Sequence, residues 1–188
     1  MSAAFRSPAV FRIIGGKWRG RKIHFHSSSS LRSSGSRVRE SLFNCLGQRL
    51  DNLNCLDLFA GGGALGLEAA SRGAQTITFV EKNITTANAI RCTVNLLNAG
   101  NVQVRRADAF TFLSEAKEFF DVIFLDPPFS DYVDDKQWQH LLEKVAPRLN
   151  AGGTVYCESD RHIVPQAGWA VKTRKQAGAV CWQLLSQV

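Results

Sequence analysis

The sequence predicts an α/β protein: a mostly parallel sheet wound with helices on both faces, closed by a C-terminal antiparallel hairpin. A small basic β-hairpin/helix extension precedes it. Three observations carry this. Short apolar runs alternate with amphipathic stretches from residue 54 onward, the pattern of βα units. A glycine-rich loop, Gly61-Gly62-Gly63, follows the first of those runs. The excess of positive charge is confined to the N-terminal quarter: residues 1–50 hold ten Lys/Arg against one acid, whereas 51–188 hold thirteen against fifteen.

Residues 10–25 contain two β-prone runs around a Gly/Lys/Trp/Arg turn and read as a basic hairpin. The serine-rich stretch 26–36 has no periodicity and reads as a loop or linker. From Ser36 a helix is expected, with Val38, Leu42, Leu46 and Leu50 along one face and Ser36 as N-cap. Strands are expected at Cys55–Phe59, Thr76–Glu81, Val102–Ala107, Asp121–Leu125 and Thr154–Cys157. Helices are expected at 64–72, 84–98, 109–117 and 135–149. Ala170–Arg174 and Val180–Leu185, separated by a Lys-Gln-Ala-Gly turn, read as the closing hairpin. Residues 1–50 are thus expected to form an arm and 51–188 the main domain.

A chain of 188 residues with 45% hydrophobic and 21% charged residues can bury a core without staples. No apolar run approaches the roughly 18 residues of a membrane span. The N-terminus lacks a signal-peptide core, so a cytoplasmic, non-membrane protein is expected, and a monomer. Five scattered cysteines without a C-x-x-C pair predict neither disulfides nor a metal site, and all five read as small buried hydrophobes. His24, His26, His140 and His162 form no recognisable site and read as surface residues. The net charge of +7, gathered in the arm, points to a polyanionic partner, because phosphate neutralisation needs segregated charge.

The first expected strand ends in DLFAGGGALGLEAA, residues 57–70. Gly61 and Gly63 fall between strand and helix, where a missing side chain lets a ligand approach the backbone. Gly61, Gly63 and Gly66 satisfy G-x-G-x-x-G, and Glu81 ends the next strand twenty residues after Gly61. These glycines alone do not separate NAD from S-adenosylmethionine, since both carry a ribose that a carboxylate can hold. The D-x-F-x-G-x-G form, Asp57 and Phe59 included, resembles methyltransferase motif I and favours S-adenosylmethionine. Asp108, after the third strand, suits the adenine amino group and equally a helix N-cap.

The fourth strand ends in Asp126-Pro127-Pro128-Phe129. Consecutive prolines lack donors and fix φ, so this segment must leave the sheet at its C-terminal edge. An exocyclic amino group on a base is a poor nucleophile, its lone pair being delocalised into the ring. Two acceptors aimed at its hydrogens, the Asp126 carboxylate and the Pro127 carbonyl, localise that lone pair and oppose the positive charge of the transition state. The Phe129 ring can hold a base by stacking.

Five segments, RIIGGKWRGRKI (12–23), LRSSGSRVRESLFN (31–44), CLDLFAGGGALGLEA (55–69), FVEKN (79–83) and LDPPF (125–129), together resemble the RsmD-type bacterial 16S ribosomal RNA guanine-N2 methyltransferases. The resemblance implies a Rossmann-like class I fold using S-adenosylmethionine and acting on 16S rRNA of the small ribosomal subunit. It implies that Asp126, Pro127 and Phe129 hold the guanine amino group. Gly61 and Gly63 would line the methionine end of the cofactor, Glu81 the ribose and Asp108 the adenine, with Asp57 near the cofactor through water. Arg12, Lys17, Trp18, Arg19, Arg21 and Lys22 would meet RNA, Trp18 either by stacking or as a hairpin core residue. The family's Arg-Pro-Thr is here Arg32-Ser33-Ser34, while Arg37, Arg39 and Phe43 are retained, the two arginines as further RNA contacts. Three alternatives stand beside this reading: a nicotinamide oxidoreductase, which leaves DPPF and the arm without a role; a non-catalytic RNA-binding module; and a DNA adenine or cytosine amino methyltransferase, for which the chain has little room.

Overall fold

The structure, a computed structural model, describes residues 9–25, 35–132 and 134–188. The serine-rich stretch from 26 to 34, with the Arg32-Ser33-Ser34 departure, lies outside the described residues. The hairpin pairs β1 (Ala9–Arg12) with β2 (Lys22–Phe25), Arg12 opposite Lys22. Helix α1 (Ser36–Cys45) follows. Then come β3 (Asn54–Asp57), α2 (Ala64–Ser71), β4 (Thr76–Val80), α3 (Ile84–Leu96), β5 (Val102–Arg105) and α4 (Ala109–Glu115). The remainder is β6 (Phe120–Leu125), α5 (Asp135–Val145), β7 (Leu149–Ser159), β8 (Trp169–Ala177) and β9 (Val180–Gln187).

Strands β3 to β9 form one seven-stranded sheet in the order β5-β4-β3-β6-β7-β9-β8. The first five are parallel, and β9 inserts antiparallel between β7 and β8. Counted from β3, the order is that of a doubly wound Rossmann sheet with the last strand slotted inside the sixth. The chain steps from β3 to β4 on one side and returns to β6 on the other. The gap between β3 and β6 is therefore the topological switch point, where open α/β sheets bind ligands.

Alternation along the strands sorts side chains into two cores. Cys55, Phe124, Tyr156 and Leu184 face a layer built from the hairpin, α1, α2 and α3. Leu56, Ile123, Val155 and Leu185 face α4 and α5, with Trp138 and Leu142 packed against them. Each such large side chain contributes about 1.5–3 kcal/mol on burial. Phe11, Ile13, Trp18, Ile23 and Phe25 of the hairpin region are buried in the first core, so the basic segment is packed into the domain along its apolar side.

Several local expectations change. Gly35, not Ser36, occupies the α1 N-cap, and Ser36 is the first helical residue. The helix stops at Cys45 because Gly47 (φ 96°) and Gln48 (φ 66°) turn the chain into the left-handed region, so Leu50 reaches the core from a loop. Cys55, Cys157 and Cys181 are buried, but Cys45 and Cys92 sit on the outward faces of α1 and α3 and are exposed. Strand β7 begins at Leu149 rather than Thr154, because its first residue already pairs with Phe120 before an irregularity. The closing turn lies at Gly178-Ala179, between the paired Ala177 and Val180.

Candidate active site

At the switch point the ends of β3, β4, β5, β6 and β7 enclose a cavity of about 1060 Å³. That is ample for a nucleoside-sized ligand and part of a second one. The loop after β3 forms its floor, with Asp57, Phe59, Gly61 and Gly62 in the lining. The Gly61 N–H donates to Oε2 of Glu81 (3.0 Å), and the Asn83 N–H donates to Oε1 of the same carboxylate (2.7 Å). Two local amides thus hold Glu81 rigidly at the rim while each oxygen keeps further acceptor capacity. Asp57 is buried, and its Oδ2 accepts the Gly66 N–H (2.9 Å). Burial, opposed by that N–H and aided by the nearby Glu81, pushes its carboxyl up to about 7.

Gly63 does not line the cavity. It is the N-cap of α2 at φ 79°, a left-handed conformation that glycine adopts without cost, and any Cβ there would point at Leu67 and Phe79 rather than at a ligand. Gly62 lines the cavity and is also a packing position: a Cβ on it would come within 2.8 Å of the Phe25 ring, so the hairpin rests directly on the glycine loop. Asp108 is the helix N-cap that one of its two expectations named. Its Oδ1 accepts from Phe110 N (2.9 Å) and Thr111 N (3.4 Å) as the α4 N-cap, and the residue also lines the cavity.

On the opposite wall, Asp126, Pro127, Pro128 and Phe129 leave β6 and run into a short 3₁₀ turn, Phe129–Asp131. The Pro128 and Phe129 carbonyls are used inside that turn, by Asp131 N (2.9 Å) and Tyr132 N (3.3 Å). Tyr132 then packs edge-on against Phe59, at 5.9 Å between ring centres, tying the DPPF segment to the glycine loop. Asp126, Pro127 and Phe129 therefore share one cavity with Phe59, Gly61, Glu81 and Asp108.

Among the lining residues that escaped sequence reasoning are Glu158, His140 and Asp160. Glu158, buried at the end of β7, accepts the Tyr156 hydroxyl at Oε2 (2.6 Å). His140 of α5 stacks on Phe110 (5.4 Å, 23°) at the rim. Asp160 adds a further carboxylate. No local motif marks them; only the strand register brings Glu158 beside Asp126. With Asp57, Glu81, Asp108, Asp126, Asp131, Glu158 and Asp160 against Lys82, the lining is strongly electronegative. It suits a ligand with positive charge and hydroxyl donors, and a sulfonium nucleoside has both.

The arm divides differently from expectation. Arg12, Lys17, Arg19, Arg21, Lys22 and Arg37 are exposed, Arg12 donating to the Gly20 carbonyl (3.1 Å). Trp18 is buried, its backbone N–H bound to Ser71 Oγ (2.9 Å), so it is a core residue rather than a stacking surface. Arg39 is also removed from the expected RNA contacts: it is 2% exposed, ion-paired to Glu68 (3.2 Å) and hydrogen-bonded to the Arg12 carbonyl (3.1 Å). Among the described residues no group of three or more His, Cys, Asp or Glu is arranged to hold a metal, and no helix is long and apolar enough to cross a membrane.

Residues 11–186 match the family model described as Conserved hypothetical protein 95. The Haemophilus influenzae protein named Ribosomal RNA small subunit methyltransferase D is 37% identical over 177 residues, 92% of each chain. Its namesake in Escherichia coli strain K12 is 38% identical over 183 residues, 92% of this chain and 88% of that one. A solved Escherichia coli structure superposes with a TM-score of 0.83 at 35% identity, covering 95% of this chain and 98% of that one. The fold is the Rossmann-like one of class I S-adenosylmethionine-dependent methyltransferases. By sequence, architecture and length alike, the chain belongs to the Conserved hypothetical protein 95 family, that of the RsmD-type methyltransferases.

Proposed function

We propose that this protein transfers a methyl group from S-adenosylmethionine to the exocyclic N2 of a guanine in 16S rRNA. The observation that carries the reading is the meeting, in one switch-point cavity, of the Gly61–Glu81 pair with the Asp126–Phe129 segment. The names of the small-subunit rRNA methyltransferase relatives point the same way. When bound, the cofactor supplies an electrophilic methyl group on a cationic sulfur. Glu81, fixed by two amides, receives the ribose hydroxyls. Asp108 takes the adenine amino group with the oxygen not used for capping α4. Gly61 lets the methionine end approach the backbone, and Asp57 adds negative charge beneath it.

The chain's own residues do the rest. Phe129 stacks on the guanine, while Asp126 and the Pro127 carbonyl accept from the two amino hydrogens. Both contacts strengthen as the nitrogen becomes positive, so they act mainly on the transition state. Holding the nitrogen in line with the methyl carbon supplies the remaining acceleration. Arg12, Lys17, Arg19, Arg21, Lys22 and Arg37 neutralise phosphates of the surrounding RNA. The test is methyl transfer from labelled S-adenosylmethionine to undermethylated small-subunit RNA, naked and assembled, with analysis of the nucleosides. N2-methylguanosine is expected. A methylated adenine or cytosine, or transfer to DNA in preference to RNA, contradicts the reading.

A further inference from the structure

We infer that Glu158 selects the base, its carboxylate accepting the ring N1–H of guanine while Asp126 and Pro127 hold the neighbouring amino group. The inference rests on the methyl-transfer reading above. Its geometry comes from the sheet. Strands β6 and β7 are parallel with Leu125 opposite Cys157, so the next residues of each, Asp126 and Glu158, are neighbours across the ladder. Each lies two residues beyond a ring on the same face, Phe124 and Tyr156, whose centres are 6.3 Å apart. Both carboxylates line the cavity, and Glu158 is only 4% exposed, with Oε2 on the Tyr156 hydroxyl at 2.6 Å. The Tyr156 phenol is held well above its usual range, mainly by burial and then by Glu158 and Asp126, as expected if both carboxylates approach it.

A carboxylate has two oxygens and about four acceptor sites, so Glu158, while bound by the Tyr156 hydroxyl, can still receive a donor from the cavity. Among the bases with exocyclic amino groups, guanine alone has a ring N–H next to that group. Adenine and cytosine present a ring lone pair at the equivalent place. A carboxylate beside the amino-binding segment therefore attracts guanine and repels the other two, combining positive selection with exclusion.

The test compares guanine with 2,6-diaminopurine at the methylated position. This analogue keeps the 2-amino group but carries a lone pair at N1. Wild-type protein should prefer guanine in kcat/KM by about ten- to a hundredfold, the span of one lost hydrogen bond to a charged group. Glu158→Gln should bring the ratio near one, since an amide can accept from N1–H or donate to the lone pair. Calorimetric cofactor titration and thermal unfolding of the variant accompany the assay. A folded, cofactor-binding Glu158→Gln protein that keeps the wild-type ratio overturns the inference. Should that variant not fold, Glu158→Asp, which withdraws the carboxylate by one methylene, takes its place: a lowered ratio supports the inference and the wild-type ratio overturns it. Absence of N2-methylguanosine from the wild-type reaction would instead overturn the methyl-transfer reading itself.

Discussion

Arg39 and Glu68 form an ion pair (3.2 Å) with both side chains out of solvent, and Glu68 binds four groups from three parts of the chain. Its oxygens accept from Ile14 N (2.9 Å), Gly15 N (2.8 Å) and Arg72 Nε (2.9 Å) besides Arg39. This one carboxylate fastens the hairpin segment and α1 to α2, the helix that follows the glycine loop. Glu68→Ala would remove the counter-charge of two buried arginines and the acceptor of two half-buried amides. Breaking a buried pair from one side costs about 3–5 kcal/mol. For a chain of this size the melting temperature should fall on the order of 10 °C. Thermal unfolding measures it, and an unchanged melting temperature would show that Glu68 is not the fastening point.

The exposed arm charges should govern RNA affinity without touching the cofactor. Replacing Arg19, Arg21 and Lys22 together by Gln should weaken RNA binding and flatten its dependence on salt. Each lost phosphate contact should reduce the slope of log affinity against log salt by roughly 0.7–0.9. Calorimetric cofactor affinity should stay at the parent value. Substitution is the right instrument because Phe11, Ile13, Trp18, Ile23 and Phe25 are core residues, so deleting the arm would open the domain. A parent-like salt slope would mean the arm is only a solvated face.

Asp57 predicts a pH dependence of cofactor binding. Burial raises its folded-state value from 3.8 to about 7. Between those limits the folded protein holds a proton that the unfolded chain has lost, so this group's contribution to stability falls as pH rises from about 4 to 7. A cationic ligand favours the ionised carboxylate, so cofactor affinity should climb as pH rises from 6 to 8 and then level. The climb should be at most roughly tenfold per unit, the limit for release of one proton. Asp57→Asn should flatten the profile; titrations across this range check it, and an unaltered profile would place the titrating group elsewhere.

Much of this was legible in the sequence, for reasons visible at particular residues. Gly61, Glu81 and Asp126 announce themselves because special backbone or charge occurs at fixed offsets from apolar strands, and the structure brings them to one cavity. The short apolar runs placed most strands to within a few residues, and β7 began five residues before its expected start. What stayed hidden was tertiary. Charge pattern cannot distinguish Arg37, which is exposed, from Arg39, which a buried acid captures 29 positions away. Trp18 reads equally as stacking surface and core until Ser71 is seen beneath it. Gly63 carries the motif's spacing yet serves the helix cap. Glu158 gains meaning only from the register of β6 with β7.

Asp126 bears the central claim, that the DPPF segment acts on the amino group during transfer. The direct measurement is single-turnover methyl transfer with saturating cofactor and RNA, beside a cofactor titration of each variant. Because the contact strengthens as charge develops, its loss should appear in the rate rather than in cofactor affinity. Removal of one preorganised polar group costs about 2.7–4 kcal/mol, so Asp126→Ala should slow transfer by roughly a hundredfold or more. Asp126→Asn, nearly isosteric and keeping one acceptor, should be less impaired, and both should bind cofactor like the parent. Transfer by Asp126→Ala at the parent rate would make the segment a structural turn and contradict the account.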